Sequence, residues 1–279
     1  MGAPEEPRAY ADRDLTYHTY LRIDELTSLQ HPESDPPHHD EMLFIIIHQA
    51  FELWFKLVLH ELHQAMAHMR AQEVLQARHF IHRAVEVMEL FVKQIHILET
   101  MRPVDFLAFR DRLNPASGFQ SVQFREIEFL CGLKDERYLR FFQATPEHVE
   151  RLKARMEEPD LRRVYYDMLA ELGFDLPEDV SQGHLEADEK AREQVLTALR
   201  PIYEEVEEHL PLNMLTESLV SLDEGLALWR EHHVRVVERI IGKKRGTGGS
   251  SGVEYLETTL SKRCFPQLWQ VRTELEDPR

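Results

Sequence analysis

Two histidines stand where the surrounding residues ask for hydrocarbon. His48 lies within MLFIIIHQAFELWFKLVLHEL, residues 42–62. That segment is too apolar for an ordinary surface helix, and a helix apolar on nearly every side belongs at the centre of a helical protein. His48, Glu52, Lys56 and His60 follow one another at i, i+4, forming one polar lane along the rod. Phe44 precedes His48 by one turn and Phe51 follows it, so the imidazole is either a polar contact in an aromatic pocket or a core histidine bonded to backbone. The second histidine is in TESLVSLDEGLALWREHHVRVVERIIG, 216–242, where Leu219, Leu222, Leu226, Trp229, His233, Val236 and Ile240 recur at spacings of three and four. His233 fills a slot meant for leucine, while His232 is turned about 100° towards a more polar side. An imidazole in a long apolar wall suits a satisfied core histidine, and equally the face of an iron porphyrin.

Two further features suit a small charged molecule. Phe106, Arg110 and Leu113 share one face of PVDFLAFRDRL, so a planar guanidinium projects beside apolar groups, where it can take a carboxylate through two parallel bonds or join an ion pair. The stretch KKRGTGGSSG, 243–252, follows a helix and lacks the GK[ST] ending of a nucleotide loop. It serves either as a linker or as backbone N–H groups closing on an anion, with Thr247 as an added donor. Among sixteen histidines, HELH at 60–63 and HFIH at 79–82 pair imidazoles within a turn. Neither ExxH nor HExxH is present, so both pairs are expected on solvated faces.

The elements that must position these groups are helices. YHTYLRIDELTSL has helical spacing, and 31–41 reads as a loop with Asp40 as N-cap of the helix that follows. A long helix is expected over 73–101, a shorter one from Pro103 to the Asn114-Pro115 turn, and an amphipathic one around SVQFREIEFL. Thr145-Pro146 opens another, ended by Gly173 and Pro177. Residues 178–210 are acidic with helical periodicity and read as a solvated excursion. No strand alternation or fixed-period repeat survives. The organisation expected is a mobile tail over 1–13 and one large all-α, bundle-like domain over 14–279 enclosing a cofactor pocket.

Composition bounds the partners. Lys and Arg number 33 against 50 Asp and Glu, a formal charge of −17 that repels phosphate backbones, so nucleic acid is not expected. No basic, apolar leader opens the chain, and no run reads as a membrane span. Cys131 and Cys264 are far apart without a CxxC, giving no disulfide framework, thiolate zinc site or covalent haem attachment. A soluble cytoplasmic protein is the expectation.

From about Tyr17 onward the chain resembles the short, bacterial form of the tryptophan 2,3-dioxygenase family. The resemblance is carried, in the family's order, by YHTYLRIDELTSLQ, HHDEMLFIIIHQAFELWFKLVLHEL, FRDRLNPASGFQSVQFREIEFL, LWREHHVRVVERIIG and KRGTGGSSGVEYL. It implies an all-helical, cytoplasmic haem b enzyme, active as Fe2+ and homotetrameric. The reaction implied inserts both atoms of O2 across the indole C2–C3 bond of L-tryptophan to give N-formyl-L-kynurenine, the first step of tryptophan breakdown by the kynurenine pathway. By the same resemblance His233 is the proximal iron ligand, His48 the distal histidine that bonds the indole N–H, and Phe44 its neighbour against the indole ring. Arg110 would clamp the substrate carboxylate with Phe106 on the same face, Ser117 would lie beside the haem, and Thr247 would belong to the loop that orders over the amino acid. Tyr17 and Tyr20 would complete the pocket of a neighbouring subunit. His232 departs from the arginine common before the ligand. The rival classes are a haem-binding sensor or gas carrier without turnover and a helical interaction protein with structural histidines. Arg110, Phe44 and the glycine-rich loop argue against the sensor, which has no use for an amino-acid carboxylate site.

Overall fold

The computed structural model describes residues 15–246 and 252–275, and within them every regular element is a helix. In chain order these are α1 (Tyr17–Leu21), α2 (Ile23–Leu26), α3 (His39–Arg70), α4 (Val74–Leu98), α5 (Pro103–Arg110) and α6 (Val122–Leu130). There follow α7 (Pro146–Glu157), α8 (Leu161–Glu171), α9 (Gln182–Ala187), α10 (Glu189–Glu204), α11 (Val206–Ile241), α12 (Val253–Glu257) and α13 (Pro266–Glu274). The tail 1–13 and Thr247 lie outside the described residues.

Three long helices carry the core, with α4 packed against both α3 and α11. At 1.5 Å per residue, the 32 residues of α3 span about 48 Å, enough to run through the whole domain. Ala77, Ile81, Ala84, Met88, Phe91 and Ile95 give α4 a continuous buried stripe at helical spacing. A Cβ at Gly225 would stand 3.1 Å from Met88 Cβ, so a glycine on α11 permits the close approach of the two helices. Pro211 lies in the first turns of α11 beside the non-helical His209, which accounts for a kink there.

Several expectations are corrected. The N-cap of α3 is His38, whose Nδ1 accepts from the Asp40 N–H at 3.2 Å, rather than Asp40. Glu41 is buried one residue on and ties down the preceding loop, accepting from the Glu33 N–H at 2.7 Å, the Ser34 N–H at 3.1 Å and the Ser34 hydroxyl. Burial opposes its charge, yet these bonds hold its carboxyl below the ordinary value. The single helix expected from Thr145-Pro146 is two helices, because Pro159 disfavours helical backbone at Glu158 and Asp160 then caps α8 through the Arg163 N–H. Helix α6 is not amphipathic: Phe124 through Leu130 are all buried, Arg125, Glu126 and Glu128 included. Residues 178–210 are not simply a solvated excursion either, since Leu185, Val195, Leu199 and Ile202 join the core.

Helix α3 departs most from expectation. It is long and apolar enough, by length and composition, to cross a membrane, with mean hydropathy 1.7 over its most apolar stretch, contrary to the expectation that no run is. It is also not covered on every side, because Met42, Ile46 and Leu53 are exposed.

Candidate active site

Helices α3, α5, α6 and α11 converge on a cavity of about 630 Å3, within the roughly 300–1,000 Å3 of pockets that hold small molecules and cofactors. His48 and His233, on α3 and α11, both line it. Phe44, Phe106, Arg110 and Ser117 line it too. Six of the nine residues singled out in the sequence are therefore gathered on one chamber. Tyr17 and Tyr20 are not among them: they are 70% and 71% exposed on α1 and stand off the wall. The segment that follows is fastened beside His48, where Gln30 donates to the Gln49 side chain at 2.6 Å and Gln49 donates to the Leu29 carbonyl at 3.1 Å. The polar lane is not sunk in the core, for His48, Glu52 and Lys56 all face the chamber.

The environment of His48 fixes its proton. Its Nδ1 lies 2.7 Å from the Phe44 carbonyl, which can only accept, so the neutral ring carries its hydrogen on Nδ1 and presents a lone pair at Nε2. His48 is open to the chamber, and desolvation by the surrounding walls lowers its pKa, against the raising effects of that carbonyl and of Glu52. The imidazole is thus a neutral acceptor. Phe44 packs on it with ring centroids 4.1 Å apart, and Phe106 packs on Phe44 at 5.6 Å. An aromatic slot beside an acceptor nitrogen suits a flat ring that carries an N–H.

His233 stacks on Trp229, centroids 5.2 Å apart and planes within 4°. Burial first, then electrostatic interaction with His48 and Arg125, push its pKa down to about 4. It is neutral at physiological pH, the form that ligates a metal, and among the described residues neither ring nitrogen has a hydrogen-bond partner. His232 instead meets His96 edge-on and takes no part in the wall. Phe51 and Phe124 also pack on Trp229 and line the cavity, extending its aromatic surface. A neutral, unpartnered imidazole on a flat aromatic and aliphatic wall, with buried unpartnered donors at Trp229 Nε1 and Arg125 Nε, fits a planar metal macrocycle bearing anionic groups.

Arg110 is half-buried, and its Nη2 donates to the carbonyl of Arg245, at the start of the glycine-rich loop. Gly246 and Gly252, the described glycines flanking Thr247, both line the cavity. Gly252 has φ +70°, and a Cβ there would meet the Lys244 carbonyl oxygen at 2.6 Å. Only glycine lets the chain return so closely. Ser117 caps a short 3-10 turn over Gly118–Gln120 in a reciprocal capping arrangement, which holds the PASG loop against the chamber.

The comparisons bear on this geometry directly. The model of the tryptophan 2,3-dioxygenase family matches residues 3–175 and 144–275. The chain belongs to this family. It is 44% identical over 261 residues to the tryptophan 2,3-dioxygenase of Herpetosiphon aurantiacus, covering 94% of this chain and 98% of the relative. It is 46% identical over 266 residues to that of a Nocardioides species, covering 94% and 95%. Against that of Xanthomonas campestris it is 42% identical over 272 residues, covering 97% and 91%. The likeness to the family thus spans every helix that contributes to the chamber.

One part of the wall was missed in the sequence. Arg125, Glu128 and Arg230 are all buried, and Glu128 accepts from Arg125 Nη1 and, at 2.7 Å, from Arg230 Nη2. Burial opposes the Glu128 charge, but the two guanidinium groups hold its carboxyl below the usual range. The signal was present in REIE, charged residues inside an otherwise apolar helix. Cys131 and Cys264 are likewise neighbours in space although remote in sequence, both free and buried, and the contact with Cys131 together with burial raises the Cys264 thiol.

Proposed function

We propose that this chain is a haem-dependent dioxygenase that inserts both atoms of O2 across the C2–C3 bond of L-tryptophan, giving N-formyl-L-kynurenine. The observation that carries this reading is the pair of neutral imidazoles from α3 and α11 on one cavity, with an arginine and an aromatic slot on the same walls. His233 would hold the iron of haem b, and Ser117 would lie along its edge. Ferrous haem, when bound, supplies the activation of O2 towards the indole. The protein's part is position and dryness. Phe44 and Phe106 would hold the indole ring, and His48 Nε2 would accept its N–H. Because His48 is already neutral with Nδ1 committed to the Phe44 carbonyl, orienting the indole is enough, and no proton needs to leave. Arg110 would exchange the Arg245 carbonyl for the substrate carboxylate, which links substrate binding to the position of the loop that carries Thr247. That loop would then exclude water from the chamber.

Self-association belongs to the same reading. Tyr17 and Tyr20 on α1, Leu29 after α2, and Met42, Ile46 and Leu53 on α3 are all exposed, more apolar surface than a lone chain needs to leave in water. In a homotetramer the Tyr17 and Tyr20 segment would complete a neighbour's chamber. The charge of −17 supports a protein that leaves nucleic acids alone, and α3 is read as a core helix rather than a membrane span, within one domain over 14–279. We place the enzyme in the cytoplasm.

The test is to load the protein with haem, reduce it without oxygen, add L-tryptophan and then air, and follow N-formylkynurenine absorbance. Product formation in step with O2 uptake is expected. Ligand-binding spectra without product would make the protein a gas carrier or sensor.

A further inference from the structure

The cavity has a second cationic feature besides Arg110, on α6 and α11. Arg125 is only 6% exposed, yet its Nε is buried with no hydrogen-bond partner, and among the described residues only Glu128 accepts from its guanidinium. Glu128 is shared, because its other oxygen belongs to Arg230. Two buried guanidinium groups therefore face one carboxylate. Lys262, a further cation that bears on Glu128, lies 3.9 Å from Asp135, a carboxylate that Arg137 also engages, so it brings no spare anion to Arg125. Trp229 adds an independent observation: its Nε1 is also buried and unpartnered. Arg125 and Trp229 flank the same ring, with the Arg125 guanidinium carbon 4.7 Å from the Phe124 centroid and the Trp229 ring 4.6 Å from it. A desolvated surplus cation and an orphaned indole N–H are each costly unless an anion meets them.

We propose that Arg125 and Trp229 form an anion-anchoring wall that receives a carboxylate of the group held by His233. The inference rests on the haem reading above, since haem b carries two propionate carboxylates. Trp229 stacks on His233 itself, so this wall belongs to the ligand-bearing side of the chamber, whereas the amino-acid carboxylate has Arg110 on α5. Glu128 acts as a positioning residue: bonded to both arginines, it holds the Arg125 guanidinium in place and leaves one positive charge over.

The experiment compares iron protoporphyrin IX with its dimethyl ester, which has the same ring and iron but no carboxylate charge. Release of each from the full chain is timed by transfer to a scavenger apoglobin, with absorption spectra recording iron ligation. From the usual strength of a hydrogen bond to a charged group, the ester should leave the unaltered protein about 10- to 100-fold faster than the free acid. In Arg125→Leu that ratio should collapse to within about twofold, and Arg125→Lys should restore part of it. Trp229→Phe keeps the stack and the ion network but loses the N–H, and should lower the ratio about fivefold. Equal release of acid and ester from the unaltered protein overturns the proposal without any variant having to fold, and so does a ratio that persists in Arg125→Leu. Failure of the unaltered protein to bind either porphyrin would overturn the haem reading, and this proposal with it.

Discussion

Arg110→Leu is the most discriminating substitution at the substrate end, because the arginine already has a partner before substrate arrives. A hydrogen bond to a charged group contributes about 1.5–3 kcal/mol, and a carboxylate clamped by a guanidinium fork gains two. Binding gives up one existing bond, from Arg110 Nη2 to the Arg245 carbonyl. The net advantage is then about one charged bond, roughly 2 kcal/mol, or about 30-fold in affinity. L-Tryptophan and tryptamine separate the clamp from the loop tether, since tryptamine presents the same indole without a carboxylate. Titrating each into the haem-loaded protein and following the shift in its absorption gives both dissociation constants. Arg110→Leu should weaken tryptophan about 30-fold and tryptamine by no more than about threefold, the residue of the lost tether. Equal weakening of both ligands would refute the reasoning, and would make Arg110 a loop anchor with no role in reading the carboxylate.

Three other outcomes follow from the site. His233→Ala should abolish the histidine-ligated haem spectrum while His232→Ala keeps it, because only His233 lines the chamber, and the reverse pattern would undo the ligand assignment. Glu128→Ala leaves two guanidinium groups buried without their anion, and should destabilise the haem-free protein by roughly 3–5 kcal/mol in urea unfolding. Glu99→Gln at the half-exposed contact with His96 and Arg239 should cost less than about 1 kcal/mol, and similar losses for the two would contradict the burial argument. The haem-free fold should also weaken in acid: an unfolded histidine takes its proton near pH 6.5, whereas His233 stays neutral down to about 4. Between those values the unfolded chain binds the extra proton, so stability falls with pH by about 1.4 kcal/mol per unit for this one group, and His233→Phe should flatten that slope.

What the sequence made legible was whatever repeats with the helical period. The inward stripe on α11 singled out His233 over His232 because adjacent residues differ by about 100°, and the structure has the two rings on different surfaces for that reason. The aromatic neighbours of His48 were legible likewise, at i−4 on one face. Less visible were matters settled by contacts remote in sequence. The tautomer of His48 depends on a carbonyl within its own helix, but its lowered pKa depends on desolvation by walls drawn from other elements. The burial of REIE depends on Arg230, about a hundred residues away, answering Glu128. The break between α7 and α8 has a local signal in Pro159, which disfavours helical backbone at Glu158.

Helix α3 shows why apolar periodicity does not translate directly into burial. A hydrophobic pattern states which faces must leave water and not which chain covers them, so the core face of a subunit and its contact face look alike in sequence. On α3 one set of residues, Ile47, Phe51, Phe55, Val58 and Leu62, is sunk in the chain's own core, while Met42, Ile46 and Leu53 face outward. Leu53 lines the cavity together with Leu26 and Leu29, which are themselves exposed and follow the exposed Tyr17 and Tyr20 in the chain. An apolar face continuous with an open cavity mouth would make a second copy's approach and closure of the chamber one event. The occupied site and the assembly would then be thermodynamically linked, each stabilising the other by mass action. Sedimentation of the haem-loaded protein should accordingly show association tightening when L-tryptophan is added, and an association constant indifferent to tryptophan would break that link.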